Sequence, residues 1–175
     1  MWGSSPTFFL GRVSVTHDDL LDPIRDHVAA LGFELVDLQR AGTRDRPVLK
    51  LRVDRPDSRP GHGVTTEDCA AVSRSLETFL ESRGLVGPRY VLEVSSPGVE
   101  RPLKWPEHWR RFVGEQARVR TSELEGRPTV TIVGVPDDDH VTVRLDDGTE
   151  RRLALDRMRE ATLAIDWSRL GRRTT

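Results

Sequence analysis

The stretch YVLEVSSPGVERPL, Tyr90 to Leu103, decides how the chain is organised, because a strand pattern runs into a turn there and the texture of the sequence changes beyond it. Tyr90, Leu92 and Val94 alternate with Val91, Glu93 and Ser95, the period-two signature of a strand with at least one buried face. The strand is expected to stop at Ser96. Pro97 cannot donate to a sheet ladder and presets φ for the second position of a turn, while Gly98 can take the positive φ that a type II turn requires next. Pro102 restricts Arg101 to extended backbone, so a planar, multidentate guanidinium stands on a stiff segment. Two roles follow for Arg101: a clamp on a carboxylate such as Glu93 or Glu100, or a contact to a partner. The clamp is the favoured one, because rigid turns between domains more often serve architecture.

Upstream of this stretch, Thr16 reads as an N-cap with Asp19 at the N3 position, and Leu20, Ile24, Val28 and Leu31 recur at helical spacing until Gly32. Phe33 to Arg40 and Val48 to Asp54 read as strands joined by a turn-rich AGTRDRP segment, hence as a hairpin. RPDSRPGHGV, Arg55 to Val64, is a proline- and glycine-rich loop supplied with arginines. Thr65, with Asp68 three residues on, caps a second helix whose inner stripe is Cys69, Val72, Leu76, Phe79 and Leu80. The order is therefore αββαβ, with both helices expected on one face of a small sheet and the other face left open. It resembles that of some RNA-binding KH domains, but the GLVG at Gly84 to Gly87 precedes a strand instead of joining two helices, so it reads as a loop.

Downstream, Trp105 to Phe112 reads as one or two helical turns. Ala117 to Thr121, Thr129 to Val135, Val141 to Leu145, Arg152 to Leu155 and Ala161 to Ile165 read as short strands, with a helical turn at Asp156 to Met158 before the last. Five such strands predict a small SH3-like or Sm-like barrel, which closes its sheet and hides its edges. The whole is α+β, divided as a loose extension at 1–15, an αββαβ domain at 16–96, an interdomain turn at 97–103, the barrel domain at 104–166 and a basic tail at 167–175.

Composition bounds what such a chain can do. Of 175 residues, 36% are hydrophobic and 31% charged, which fits a globular protein with a heavily solvated surface. The formal net charge is only -1, so any contact with nucleic acid must come from local arginine patches. The single cysteine, Cys69, can form no internal disulfide and reads as a small core residue in a reducing, cytosolic setting. No apolar run approaches the roughly 20 residues needed to span a bilayer. The Phe8 to Leu10 cluster lacks a basic flank and a long apolar stretch, so a signal peptide is not expected.

The string SSPGVERPL resembles the SSPG-[LV]-[DE]-RPL signature of the RimP family, bacterial factors that assist maturation of the small ribosomal subunit. VTTEDCAAVSRSLETFLE, Val64 to Glu81, is similar to that family's second helix and its lead-in, and WRRFVGEQARVR, Trp109 to Arg120, to the entry into its C-terminal domain. The resemblance covers about Thr16 to Ile165, and separated motifs in the right order are more specific than one short match. It implies the same barrel architecture, no cofactor, and transient binding of a monomer in the cytoplasm to the immature small subunit through ribosomal RNA and a ribosomal protein. The signature residues Ser95, Ser96, Pro97, Gly98, Glu100, Arg101, Pro102 and Leu103 become candidates for the domain junction or for ribosome contact. Two departures stand out: Val130 falls where the family pattern places a glycine that helps bend the second barrel strand, and Glu100 replaces the commoner aspartate.

Nothing in the pattern of residues calls for catalysis. Ser95 and Ser96 lack a GxSxG elbow and a recognisable triad context, so a serine hydrolase is the weakest alternative. The five histidines are scattered without metal-ligand spacing, and the Asp137, Asp138 and Asp139 run sits where aspartate serves turns, with calcium a weak reading. Basic residues interleave with aromatics around Trp105, Trp109 and Phe112, which makes Lys104, Arg110 and Arg111 candidate RNA contacts. Arg169, Arg172 and Arg173 would add a weak, salt-sensitive contact from the tail. The other alternative is a free-standing RNA-binding regulatory module.

Overall fold

The computed structural model describes residues 17–43, 45–58 and 62–164. The expected cap at Thr16, the apolar cluster at Phe8 to Leu10 and the arginines of the C-terminal tail lie outside those residues. The first half runs α1 (His17–Ala30), β1 (Glu34–Gly42), β2 (Pro47–Asp54), α2 (Thr66–Ser82) and β3 (Val91–Ser95). Leu20, Ile24 and Val28 of α1 are fully buried at a spacing of four, whereas Leu31, expected on the same stripe, is 39% exposed. Leu31 stands at the helix end: its amide still bonds to the His27 carbonyl, Gly32 then takes φ 85°, and the Phe33 amide bonds back to the Val28 carbonyl to close the last turn. At α2 the expected capping box is present, with the Thr65 hydroxyl accepting from the Asp68 amide and the Asp68 carboxylate accepting from the Thr65 amide.

β1 and β2 form the antiparallel hairpin, and β3 adds parallel to β2 after the α2 crossover, in the order β1-β2-β3. The hairpin closes on Gly42, at φ 78°, where a Cβ would collide with the Arg46 carbonyl oxygen. One face of the sheet carries Leu38, Leu49, Leu51 and Val53 against Val72, Leu76 and Leu80 of α2 and the α1 stripe. The opposite face carries Asp37, Gln39, Lys50 and Arg52, paired in register across β1 and β2. A bulge at Val36 sets this alternation: Leu35 pairs with Val53 but Asp37 with Arg52, so one extra residue of β1 is unpaired.

The second half runs α3 (Pro106–Arg111), β4 (Gln116–Thr121), β5 (Thr129–Gly134), β6 (His140–Arg144), β7 (Glu150–Ala154), a 3-10 turn (Leu155–Arg157) and β8 (Met158–Ala164). All neighbours are antiparallel, in the order β7-β6-β5-β4-β8. The closure expected of a barrel is absent: among the described residues β7 and β8 do not pair. The sheet is nevertheless far from flat. Four strand spacings would separate flat edges by about 19 Å, while the four residue steps from Ala154 to Met158 reach at most about 14 Å. Strong curvature follows, and a bulge at Val133 bends β5 close to Val130, where the sequence reading put curvature in question. Val130, Ile132, Val141, Val143 and Leu153 pack on the concave face, and Trp109 of α3, wholly buried, covers them.

The turn between the halves behaves in two ways. Gly98 takes φ 69° as its position requires, and the tip is solvated, with Val99 60% exposed. Arg101, Pro102 and Leu103 are buried and join the second sheet. The Leu163 amide donates to the Arg101 carbonyl at 2.8 Å, the Leu103 amide donates to the Ala161 carbonyl at 2.9 Å, and Pro102 bridges Thr162. The last residues of the segment read from sequence as an interdomain turn thus cover the outer edge of β8.

Candidate functional site

Burial forces the chemistry of Arg101. Its residue is 4% exposed, and a guanidinium so far from water needs carboxylates. It finds Asp54, at the end of β2, through Nη1, and Glu34, at the start of β1, through Nη2 at 2.7 Å. Neither carboxylate is one that the sequence singled out: Glu93 pairs instead with Lys50 at 3.3 Å, and Glu100 is exposed at the tip. The cause is the direction of the chain, which turns back over the hairpin end after Gly98. Arg101 Nε stays buried without a partner, and the Phe112 ring lies beneath the guanidinium, 5.4 Å from centroid to Cζ.

Glu34 is the hub. It also accepts from Arg111 Nη1 at 2.9 Å and from His108 Nε2 at 3.2 Å. His108 is fixed in this role because its Nδ1 accepts the Lys104 amide at 3.1 Å, which leaves the proton on Nε2. Burial would raise the Glu34 pKa, but the His108 hydrogen bond and the Arg101 charge and hydrogen bond outweigh it and hold the carboxyl at about 2, against an ordinary 4.5. On the Asp54 side, Ser58 Oγ donates to Oδ2 at 2.6 Å, and Arg111 Nη2 reaches the Ser58 carbonyl at 2.9 Å. Lys104 Nζ lies 3.6 Å from Asp37, and Arg25 of α1 reaches Glu107 of α3 at 3.3 Å. The network ties β1, β2 and α1 to the segment 101–111.

The sequence candidates divide accordingly. Ser95, Ser96, Gly98 and Glu100 are exposed and Pro97 is half-buried, while Arg101, Pro102 and Leu103 are buried. Of the candidate RNA contacts, Arg111 is committed to Glu34 and Ser58, Arg110 is paired with Asp138, and Lys104 is held by Asp37. Glu34, Asp54, Ser58 and His108 were missed. The available signal was an arginine pinned beside a proline, which demands carboxylates, and an acidic residue at each end of the hairpin strands. The aspartate run has protein partners of its own: Asp137 pairs with Arg152 and shares a hydrogen bond with His140 at 2.8 Å. Among the described residues no cluster of three metal-ligating side chains occurs.

Residues 23–100 match the family model of the RimP N-terminal domain, from Pro23 in α1 to the tip of the turn. The chain thus carries a RimP N-terminal domain, which supports membership of the RimP family. The RimP match spans the three strands, α2 and the part of α1 from Pro23 onward, and it ends at the residue before Arg101, so the junction begins where the matched domain stops. Among the described residues no helix is long and apolar enough to cross a membrane.

Proposed function

We propose that the protein is a non-catalytic maturation factor that binds the immature small ribosomal subunit in the cytoplasm and holds ribosomal RNA and a ribosomal protein in an assembly-competent arrangement. The observation that carries this reading is the RimP N-terminal domain at residues 23–100. The five-stranded sheet, with strongly bent strands and a 3-10 turn before the last, supports an SH3-like or Sm-like second domain from about Lys104, acting as the protein-contact surface of a monomer. The buried junction supports it further, since a two-part factor that presents two surfaces at once needs them held in one relation. Ser95 and Ser96 stand exposed without a hydrogen bond to a histidine or carboxylate among the described residues, which favours a binding role over hydrolysis.

Such a factor works by differential affinity for the immature and mature states. Tagged protein should therefore co-sediment with immature small subunits and much less with mature ones. Equal binding to both, or binding to neither alongside retained affinity for free RNA, would replace this reading with that of a free-standing RNA-binding module.

A further inference from the structure

We propose that the cleft between the two sheets takes one nucleotide of a single RNA strand, its phosphate on Arg52 and Arg159 and its ribose hydroxyl on Asp37. The cleft has a volume of about 260 Å³. One wall is the open face of the first sheet, with Asp37, Gln39 and Arg52; the floor is the 102–104 segment; the other wall is β8, with Met158, Arg159 and Thr162. It is smaller than the roughly 300–1,000 Å³ that holds a drug-sized ligand, so it suits one sugar-phosphate unit of a longer strand.

Its charges are arranged unlike those of the neighbouring junction. There, Arg101 and Arg111 are spent on Glu34, Asp54 and Ser58. Here, the side chains of Arg52 and Arg159 make no ion pair or hydrogen bond among the described residues, so two guanidiniums, one from each wall, are left for an anion. Asp37, 3% exposed, accepts from Gln39 at 2.8 Å on one oxygen and faces Lys104 on the other, and a carboxylate oxygen can take more than one donor. Trp109, also in the lining, keeps a buried indole N–H without a partner.

The backbone supports the same reading. Arg159 is itself the extra residue of a β-bulge, because Glu160 pairs with Arg120 and Met158 with Thr121. Asp37 follows the bulge at Val36 directly. Bulges re-aim side chains and gather beside binding sites, and these two lie on opposite walls of one cleft. An acidic peptide would bring charge for the arginines but its carboxylates offer Asp37 no hydroxyl donor. A ribonucleotide brings both the anion and the hydroxyl donor, and DNA lacks that hydroxyl. The inference rests on the reading that this protein works on RNA, and it adds where one nucleotide sits.

The test is fluorescence anisotropy of the full chain with a labelled six-residue oligouridylate, its deoxy counterpart and an oligoglutamate competitor, at about 150 mM salt to screen long-range attraction. Arg52→Ala with Arg159→Ala is expected to raise the RNA Kd at least tenfold, Arg159→Ala alone to raise it severalfold, and Arg74→Ala with Arg83→Ala, exposed at α2 behind the first sheet, to leave it within about twofold. Asp37→Asn should narrow the preference for RNA over DNA. Unchanged RNA affinity in the folded cleft variants, equal affinity for RNA and DNA, or efficient displacement by oligoglutamate would overturn the proposal. Co-sedimentation with immature subunits, run in parallel, separates the two readings. Wild type that sediments with subunits while the cleft variants bind RNA normally overturns the cleft alone. A cleft effect on oligoribonucleotides without subunit binding supports the cleft and overturns the maturation role.

Discussion

Glu34 and Asp54 are direct cross-strand partners at the end of the β1/β2 hairpin, and one guanidinium, that of Arg101, bonds to both. Two carboxylates in register repel each other unless a cation lies between them. The hairpin end is therefore complete only when the chain beyond β3 has turned back and delivered Arg101. This couples the first sheet to the second, because the backbone of the same arginine pairs with β8.

The first prediction follows from that coupling. Arg101→Ala takes the cation from the buried Asp54 and leaves the half-buried Glu34 to Arg111 and His108, so a loss of about 3 kcal/mol, at the low end for breaking a buried pair, is expected. Arg101→Lys keeps the charge but cannot bridge two carboxylates in a plane, so an intermediate loss of about 1–3 kcal/mol is expected. Urea unfolding checks both values, and solution scattering should show a looser arrangement of the two halves in the lysine variant. Wild-type unfolding and scattering in Arg101→Lys would mean that the planar head is not needed.

Acid sensitivity is the second prediction. The Glu34 pKa is lowered in the folded protein, so its contribution to stability is fully present above about 4.5 and is lost as pH falls toward about 2. A depression of that size corresponds to roughly 3 kcal/mol at neutral pH. Glu34→Gln should be less stable than wild type at pH 7, and the gap should shrink steadily across that acid window. A gap independent of pH would show that the carboxylate's charge is not what the network uses.

How far the sequence foretold this depends on the range of the interaction. The Thr65/Asp68 cap, the positive φ of Gly98 and the strand alternation around Val119 or Leu51 are local, set within a few residues, and each was legible. The partners of Arg101 were not, because they lie 47 and 67 residues away and became neighbours only through the β1/β2 register and the turn at Gly98. For the same reason the RNA-contact candidates Arg110 and Arg111 looked free: the carboxylates that hold them, Asp138 and Glu34, come from distant strands and turns. Open ladders are equally hard to foresee, since alternation marks a strand but says nothing of whether the first and last of them pair.

Cys69 gives the third prediction. It is half-buried against the first core, and burial, aided by the Asp68 charge, raises its thiol pKa. Cys69→Ser is expected to cost about 1 kcal/mol, toward the low end for burying a hydroxyl, since part of the side chain stays near solvent. A bulky thiol reagent should modify the native protein much more slowly than the urea-unfolded chain, and equal rates would mean that the thiol is neither shielded nor shifted.

The last prediction concerns the exposed half of the signature. Val99 is 60% exposed at the tip of the turn, next to the exposed Glu100, although the residues immediately after them are buried. A large apolar side chain at a solvated tip contributes little to the fold, so Val99→Asp should change stability by no more than about 0.5 kcal/mol. If the tip meets the immature subunit, the same substitution removes an apolar anchor and adds a charge that must be desolvated in the complex, and co-sedimentation should fall at least tenfold. Glu100→Asp keeps the charge and shortens the arm, so it should leave stability intact and change binding only slightly. The two halves of the signature would then separate experimentally, Arg101 variants losing stability first and Val99 variants losing binding alone. Wild-type co-sedimentation by a folded Val99→Asp protein would remove the tip from the contact surface and move the search to the open face of the first sheet.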